Sequence, residues 1–155
     1  MKKLLIWVFG MLTTSMFIGW ISRSGIVNGW YASLPRSPLT PPSLTFRIVW
    51  PTLYVMIAVA GWRLWSILPL SPYRKRMRWQ YSIQLLLNWL WSPLFFYFQF
   101  VMGGLITLTA LLAILYWLMG TSWCQDRTTF YCLLPYGLWS SFALYLNGYI
   151  FWHLP

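Results

Sequence analysis

Hydrophobic residues along this chain gather into long runs, and the polar residues inside those runs recur at three and four positions, the spacing of one helix face. Tyr81 to Phe96, reading YSIQLLLNWLWSPLFF, shows it best. Tyr81, Gln84, Asn88, Trp91 and Phe95 share one stripe, while Ile83, Leu86, Leu87, Leu90 and Leu94 make up the other side. An amide left unpaired against hydrocarbon is costly, so the stripe is expected to turn inward as the wall of a pocket. Two further runs repeat the design, with Trp50, Tyr54, Ile57 and Gly61 on one stripe and Tyr136, Trp139, Ala143 and Asn147 on another.

Taken in order, the runs predict membrane spans at residues 4–21, 46–66, 79–98, 103–123 and 129–152, each of roughly the 20 residues a bilayer requires. Lys2 and Lys3 precede the first. The following GWISRSG lacks the small residues of a signal-peptide cleavage site, so this run is read as a helix. Residues 23–45 contain Pro35, Pro38, Pro41, Pro42 and an Asn28-Gly29 turn signal, and are too broken to cross a bilayer. Trp30, Tyr31 and Leu34 in that loop predict a lid that packs. Pro51 is placed in the first turn of the second span, and Arg63 is expected to snorkel at its end between Trp62 and Trp65. PYRKRMR, Pro72 to Arg78, reads as a basic connector, and Trp7, Trp20, Trp79, Trp123 and Trp152 read as interfacial anchors. The expected fold is an all-α membrane protein of five transmembrane helices with a long first loop acting as a lid, a single domain over residues 1–155.

Composition agrees, at 59% hydrophobic, 21% aromatic and only 8% charged, with a mean hydropathy of +0.60. Asp126 is the sole carboxylate side chain against eleven Lys and Arg, which excludes chemistry built on paired carboxylates. One His and two Cys eight positions apart are too few for a zinc site, and no metal is expected. Cys124 and Cys132 read as apolar or interfacial thiols, with a disulfide left open. The net charge of +10 sits at the ends of the apolar runs, where anionic lipid headgroups account for it and nucleic acid is not needed. Lys2, Lys3, Arg74, Lys75, Arg76, Arg78 and Arg127 fall on the N-terminal side of the spans, and Arg23, Arg36 and Arg47 on the other. In a bacterial inner membrane that bias would put the N-terminus in the cytoplasm.

Three blocks also carry a resemblance: WYASLPRSPLTPPSLTFRIVWPTLYVMIAVAGW from Trp30, QYSIQLLLNWLWSPLFF from Gln80 and LPYGLWSSFALYLN from Leu134. Together they resemble the tryptophan-rich sensory protein and translocator protein family, also called the peripheral-type benzodiazepine receptor family (TspO/MBR). The resemblance implies a five-helix membrane protein, often a homodimer, whose first loop closes a pocket for porphyrins, haem and sterol-like apolar ligands. It implies a lining of Trp50, Tyr54, Asn88, Trp91, Phe95, Trp139, Ala143 and Leu146, with Tyr31 from the lid. The lid departs from the family pattern in Arg36 and Leu39. Tyr149 is not followed by the Lys or Arg of the animal sterol motif.

A porphyrin needs apolar faces for its ring and cations for its acids, and Arg23, Arg36 or Arg47 could supply the latter. Gln84 is assigned to bonding between helices and Asn88 to the ligand. Only Met16, Met56 or His153 could reach a bound iron, so stacking rather than axial ligation is expected. The leading expectation is a membrane tetrapyrrole and apolar-ligand binding protein acting as sensor or carrier, with no cofactor required. Two alternatives stand beside it: a light- and oxygen-dependent porphyrin-degrading enzyme working through Trp50 and Trp139 without conventional catalytic residues, and a structural or partner-binding membrane protein.

Overall fold

The computed structural model describes residues 2–154. Among the described residues the chain is helical with no strand. Five long helices, α1 (Lys2–Ser22), α4 (Ser43–Trp62), α5 (Pro72–Ser92), α6 (Val101–Gln125) and α7 (Arg127–His153), are joined by two single-turn helices, α2 (Ser24–Val27) and α3 (Trp30–Ser33). The long helices close a ring in which α1 packs on α4, α4 on α7, α7 on α6, α6 on α5 and α5 again on α1. Many large apolar side chains face outward, among them Leu5, Ile6 and Phe9 of α1 and Leu86 and Leu90 of α5. That is the pattern of a bundle solvated by hydrocarbon.

Three segments, Lys2–Ser22, Ser43–Ile67 and Val101–Gln125, are long and apolar enough to cross a membrane on length and composition. α5 is less apolar because Arg74, Lys75, Arg76 and Arg78 fall in its first two turns, and both α5 and α7 turn polar residues inward. Gln80, Gln84 and Asn88 are buried on α5, and Ser140 and Asn147 on α7.

Helix boundaries follow local chemistry and correct three expectations. The basic stretch Pro72 to Arg78 is not a connector but the first two turns of α5, because Pro72 suits the opening position and the Ser71 side chain accepts from Arg74 N–H (3.1 Å) as an N-cap. Pro51 lies well inside α4, which starts at Ser43 directly after Pro42. Arg63 does not snorkel outward. It turns to Asp126, with Nε on Oδ2 at 2.9 Å and Nη2 on Oδ1 at 2.7 Å, a two-point ion pair joining the end of α4 to the start of α7.

Asp126 also caps α7, accepting from the Thr129 backbone N–H (3.3 Å) and hydroxyl. Burial pushes its carboxyl up, but Arg63 and Thr129 outweigh that and hold it below the ordinary value of 3.8. The only carboxylate side chain in the sequence is therefore committed to structure.

Two wider π-type turns continue α4 (Arg63–Ile67) and α5 (Pro93–Tyr97). The second starts at Pro93, which has no N–H for the helical ladder, and it swings Phe95 and Phe96 toward the bundle axis. Of the proposed interfacial tryptophans, Trp20, Trp79, Trp123 and Trp152 are exposed. Trp7 instead turns in between Trp65 (5.4 Å) and Tyr81 (6.3 Å). Gly61 permits this approach, since a Cβ there would meet the Tyr81 hydroxyl at 2.5 Å and the Trp7 ring at 2.7 Å.

The first connection is folded. Asn28 Oδ1 accepts from Trp30 N–H (3.0 Å) across Gly29, whose φ of +80° only glycine adopts readily, and this starts α3. Trp30 and Tyr31 then pack edge-on against Phe95 at 5.6 and 6.2 Å. Leu34 is buried with Phe95, Val101 and Ile150, and the Ser37 hydroxyl shares a hydrogen bond with Tyr145 OH (3.0 Å).

Candidate functional site: an aromatic cavity beneath the first connection

A cavity of about 540 Å³ opens between α1, α4, α5, α7 and the first connection, at the end of the bundle away from Lys2. Helical spacing places its walls. Trp50 and Tyr54 lie one turn apart on α4, as Asn88 and Trp91 do on α5, Phe95 follows a turn later in the π-type continuation, and Ala143 and Leu146 face them from α7. Tyr31 and Arg36 come from the first connection.

Eight of the nine sequence-predicted site residues, Tyr31, Trp50, Tyr54, Asn88, Trp91, Phe95, Ala143 and Leu146, line this cavity. Trp139 does not. The buried face of α7 runs through Tyr136, Ser140, Ala143 and Asn147, and Trp139 lies on its flank, edge-on to Phe46 at 5.6 Å and beside Phe142. Its indole N–H is buried without a partner among the described residues.

The aromatic wall is ordered. Trp50 stacks on Tyr54 (5.6 Å, 29°) and on Trp91 (6.2 Å, 28°), and Trp91 stacks on Phe95 (5.8 Å, 22°), so four rings stand within about 30° of their neighbours. Parallel faces of this kind suit a flat ligand better than a branched one.

Hydrogen bonds fix the floor. Tyr54 OH donates to Asn88 Oδ1 (2.9 Å) and Asn88 Nδ2 donates to Tyr136 OH (2.9 Å), linking α4, α5 and α7 through one amide. Trp91 Nε1 donates to Asn147 Oδ1 (3.3 Å), and Asn147 Nδ2 to the Val101 carbonyl (3.1 Å). Asn88 both faces the cavity and bonds between helices, using one acceptor and one donor position of its amide, whereas Gln84, fully buried and outside the cavity lining, has neither amide atom bonded among the described residues and so does not make the interhelical bond expected of it.

Charge at the rim has one sign. Arg23, Arg36 and Arg47 all line the cavity, and Asp126 stands at the opposite end of the bundle in its pair with Arg63. Burial pushes the Tyr31 phenol up and outweighs the opposite pull of Arg36, so it stays neutral at physiological pH. None of Met16, Met56 and His153 is among the lining residues. Met16 faces outward, and His153 Nδ1 lies 2.9 Å from the Tyr149 carbonyl.

Sequence reasoning missed the α1 wall, formed by Ser15, Ile18, Gly19 and Ser22. The signal was present, because Ser15, Gly19 and Ser22 are small and fall four and three apart on one face. It also missed Ser92 at the end of α5, Phe96 in the π-type turn and Ile150 near the top of α7.

An all-helical membrane bundle with a ligand-sized cavity, aromatic walls and an arginine rim is the class these features define. The model of the TspO/MBR family matches residues 5–153. The chain is 30% identical to a tryptophan-rich protein TspO of Bacillus cereus over 97% of both chains. It is 31% identical to a translocator protein of Ovis aries, over 76% of this chain and 70% of that one, and 26% identical to protein CrtK of Rhodobacter capsulatus, over 77% and 75%. The chain belongs to the TspO/MBR family.

Proposed function

We propose that the cavity binds a flat, apolar, acid-bearing ring of the porphyrin class, and that the chain serves as a tetrapyrrole sensor or carrier in the membrane. The observation that carries this reading is three arginines above a wall of parallel aromatic rings, with no carboxylate among the lining residues. The rings would stack on the macrocycle and the guanidiniums would meet its carboxylates. A volume near 540 Å³ lies within the range of small-molecule pockets, about 300–1,000 Å³. With no Met or His in the lining, binding rests on stacking and ion pairing, and metal-free porphyrin is expected to bind as well as haem.

On this reading residues 1–155 act as one domain, all five long helices cross the bilayer, with the N-terminus cytoplasmic if the membrane is a bacterial inner one, and the lid expected over residues 23–45 is the connection up to Pro42, since α4 already begins at Ser43. A homodimer is the expected assembly. The photochemical alternative keeps Trp50, which lines the cavity, and would take Trp91 as its second indole rather than Trp139.

The test is a dark titration of the detergent-purified chain, following tryptophan fluorescence, with protoporphyrin IX and with its dimethyl ester. The expected result is saturable binding of the acid and at least about tenfold weaker binding of the ester, about 1.4 kcal/mol. Equal binding of both would remove the arginines from the account.

A further inference from the structure

We propose that Arg74 and Arg78, at the end of the bundle opposite the cavity, form a binding site for a phosphate oxyanion. Arg74 Nε and Nη2 donate to the carbonyls of Leu64 and Trp65, both at 2.8 Å. Arg78 Nε and Nη2 donate to the same two carbonyls at 2.9 and 3.1 Å. These oxygens lie in the turn that ends α4, where helix carbonyls have lost their ladder partners.

The shared acceptors hold two guanidiniums side by side, their Nε atoms within about 6 Å of one another. The Arg78 guanidinium also lies over the Trp65 ring, 5.1 Å from its centroid. Each guanidinium spends two of its five N–H donors on the carbonyls and makes no other hydrogen bond among the described residues.

Among the described residues no carboxylate pairs with these two guanidiniums. Lys75 and Arg76 flank it, with Arg76 turned to the Tyr73 ring, and Arg127 lies over Trp123 at the same end. Asp126 is already held by Arg63 and Thr129. Two positioned guanidinium forks, each with free N–H groups, match the several acceptor oxygens of a phosphate. The exposed Trp79 and Trp123 mark this end as interfacial, which favours a lipid headgroup as the source over free phosphate.

The experiment measures the thermal midpoint of the full chain in neutral detergent, titrated with phosphatidylglycerol, with phosphatidylcholine of the same acyl chains, and with inorganic phosphate at fixed ionic strength. Phosphatidylglycerol is expected to raise the midpoint saturably, at about fivefold lower concentration than phosphatidylcholine. In the double variant Arg74→Lys/Arg78→Lys, which keeps the charge and loses the planar forks, about fivefold more lipid is needed, while Arg127→Lys responds like wild type. If the double variant does not fold, Arg78→Lys alone replaces it, with an expected weakening of about threefold.

A response to phosphatidylglycerol but not to inorganic phosphate supports the pair with a headgroup as its ligand. A response to both, lost in the same variants, supports it with phosphate in general. Equal response to the two lipids without any response to phosphate, or an unchanged response in the arginine variants, overturns the proposal.

Discussion

Replacing Asn88 with Ala removes one small amide and breaks two hydrogen bonds that tie three helices together. Tyr54 OH loses its acceptor and Tyr136 OH its donor. A buried polar group stranded without its partner costs about 1–3 kcal/mol. The two losses differ, because Tyr54 lines the cavity and its hydroxyl can turn to water there, whereas Tyr136 is fully buried. Bonds between membrane helices fall at the lower end of the range, about 0.6–2 kcal/mol each. The combined cost is about 1–4 kcal/mol, a fall in thermal midpoint of about 2–16 °C for a chain of this size. Leu86→Ala is the control, since Leu86 is on the same helix, 61% exposed, and removes more carbon without touching a hydrogen bond. Melting of both variants in the same detergent, followed by circular dichroism, decides the matter. If Asn88→Ala melts no lower than Leu86→Ala, the amide is not a structural junction.

Three further outcomes follow from the same geometry. Gln84→Met should be neutral or stabilising by about 1 kcal/mol, because it replaces an unbonded buried amide with an apolar chain of similar length, and a clear loss of stability would mean the amide has a partner. Gly61→Ala should cost about 1–3 kcal/mol by pressing on Tyr81 and Trp7, while Gly120→Ala, where a Cβ meets nothing within 4 Å, should be nearly silent; equal melting of the two would contradict the packing at Gly61. Asp126 has its carboxyl held low in the folded chain, so its contribution is complete above the ordinary carboxylate value of 3.8 and is lost as the pH falls through its lower folded value. Asp126→Asn should therefore lower stability at neutral pH by about 2–4 kcal/mol and narrow its gap to wild type under strong acid, where an unchanging gap would refute the linkage.

Much of this arrangement is legible in the sequence because one signal, the period of a helix, serves both fold and site. The same three-and-four spacing that marks Trp50 and Tyr54, or Asn88, Trp91 and Phe95, as inward residues also places them on one wall. What spacing does not give is the centre of a buried face. Trp139 is three residues from Tyr136, within the tolerance of a stripe, yet the seam with α4 and α6 runs through Ser140 and leaves Trp139 on the flank. Nor does spacing say where a polar group finds its partner. Asn88 and Gln84 are indistinguishable in sequence, and only the placement of Tyr54 and Tyr136 separates them. The place of Arg63 is hidden for a related reason, since its partner Asp126 lies 63 positions away and no local pattern links them. The basic stretch at Pro72 was obscured by its charge, although proline after serine is an ordinary helix opening.

On the proposed reading, the cavity under the first connection takes a ring whose acids meet its arginines. That reading is tested most directly by titrating protoporphyrin IX in the dark into wild type and into Arg36→Gln/Arg47→Gln, with thermal melting of both to establish that the fold survives. Arg36 and Arg47 are exposed at the rim and make no hydrogen bond among the described residues, so the variant should melt like wild type. Saturable quenching is expected in both, with affinity about tenfold weaker in the variant, a difference of about 1.4 kcal/mol. Identical titrations from two equally stable proteins, or quenching that does not saturate in either, would contradict it.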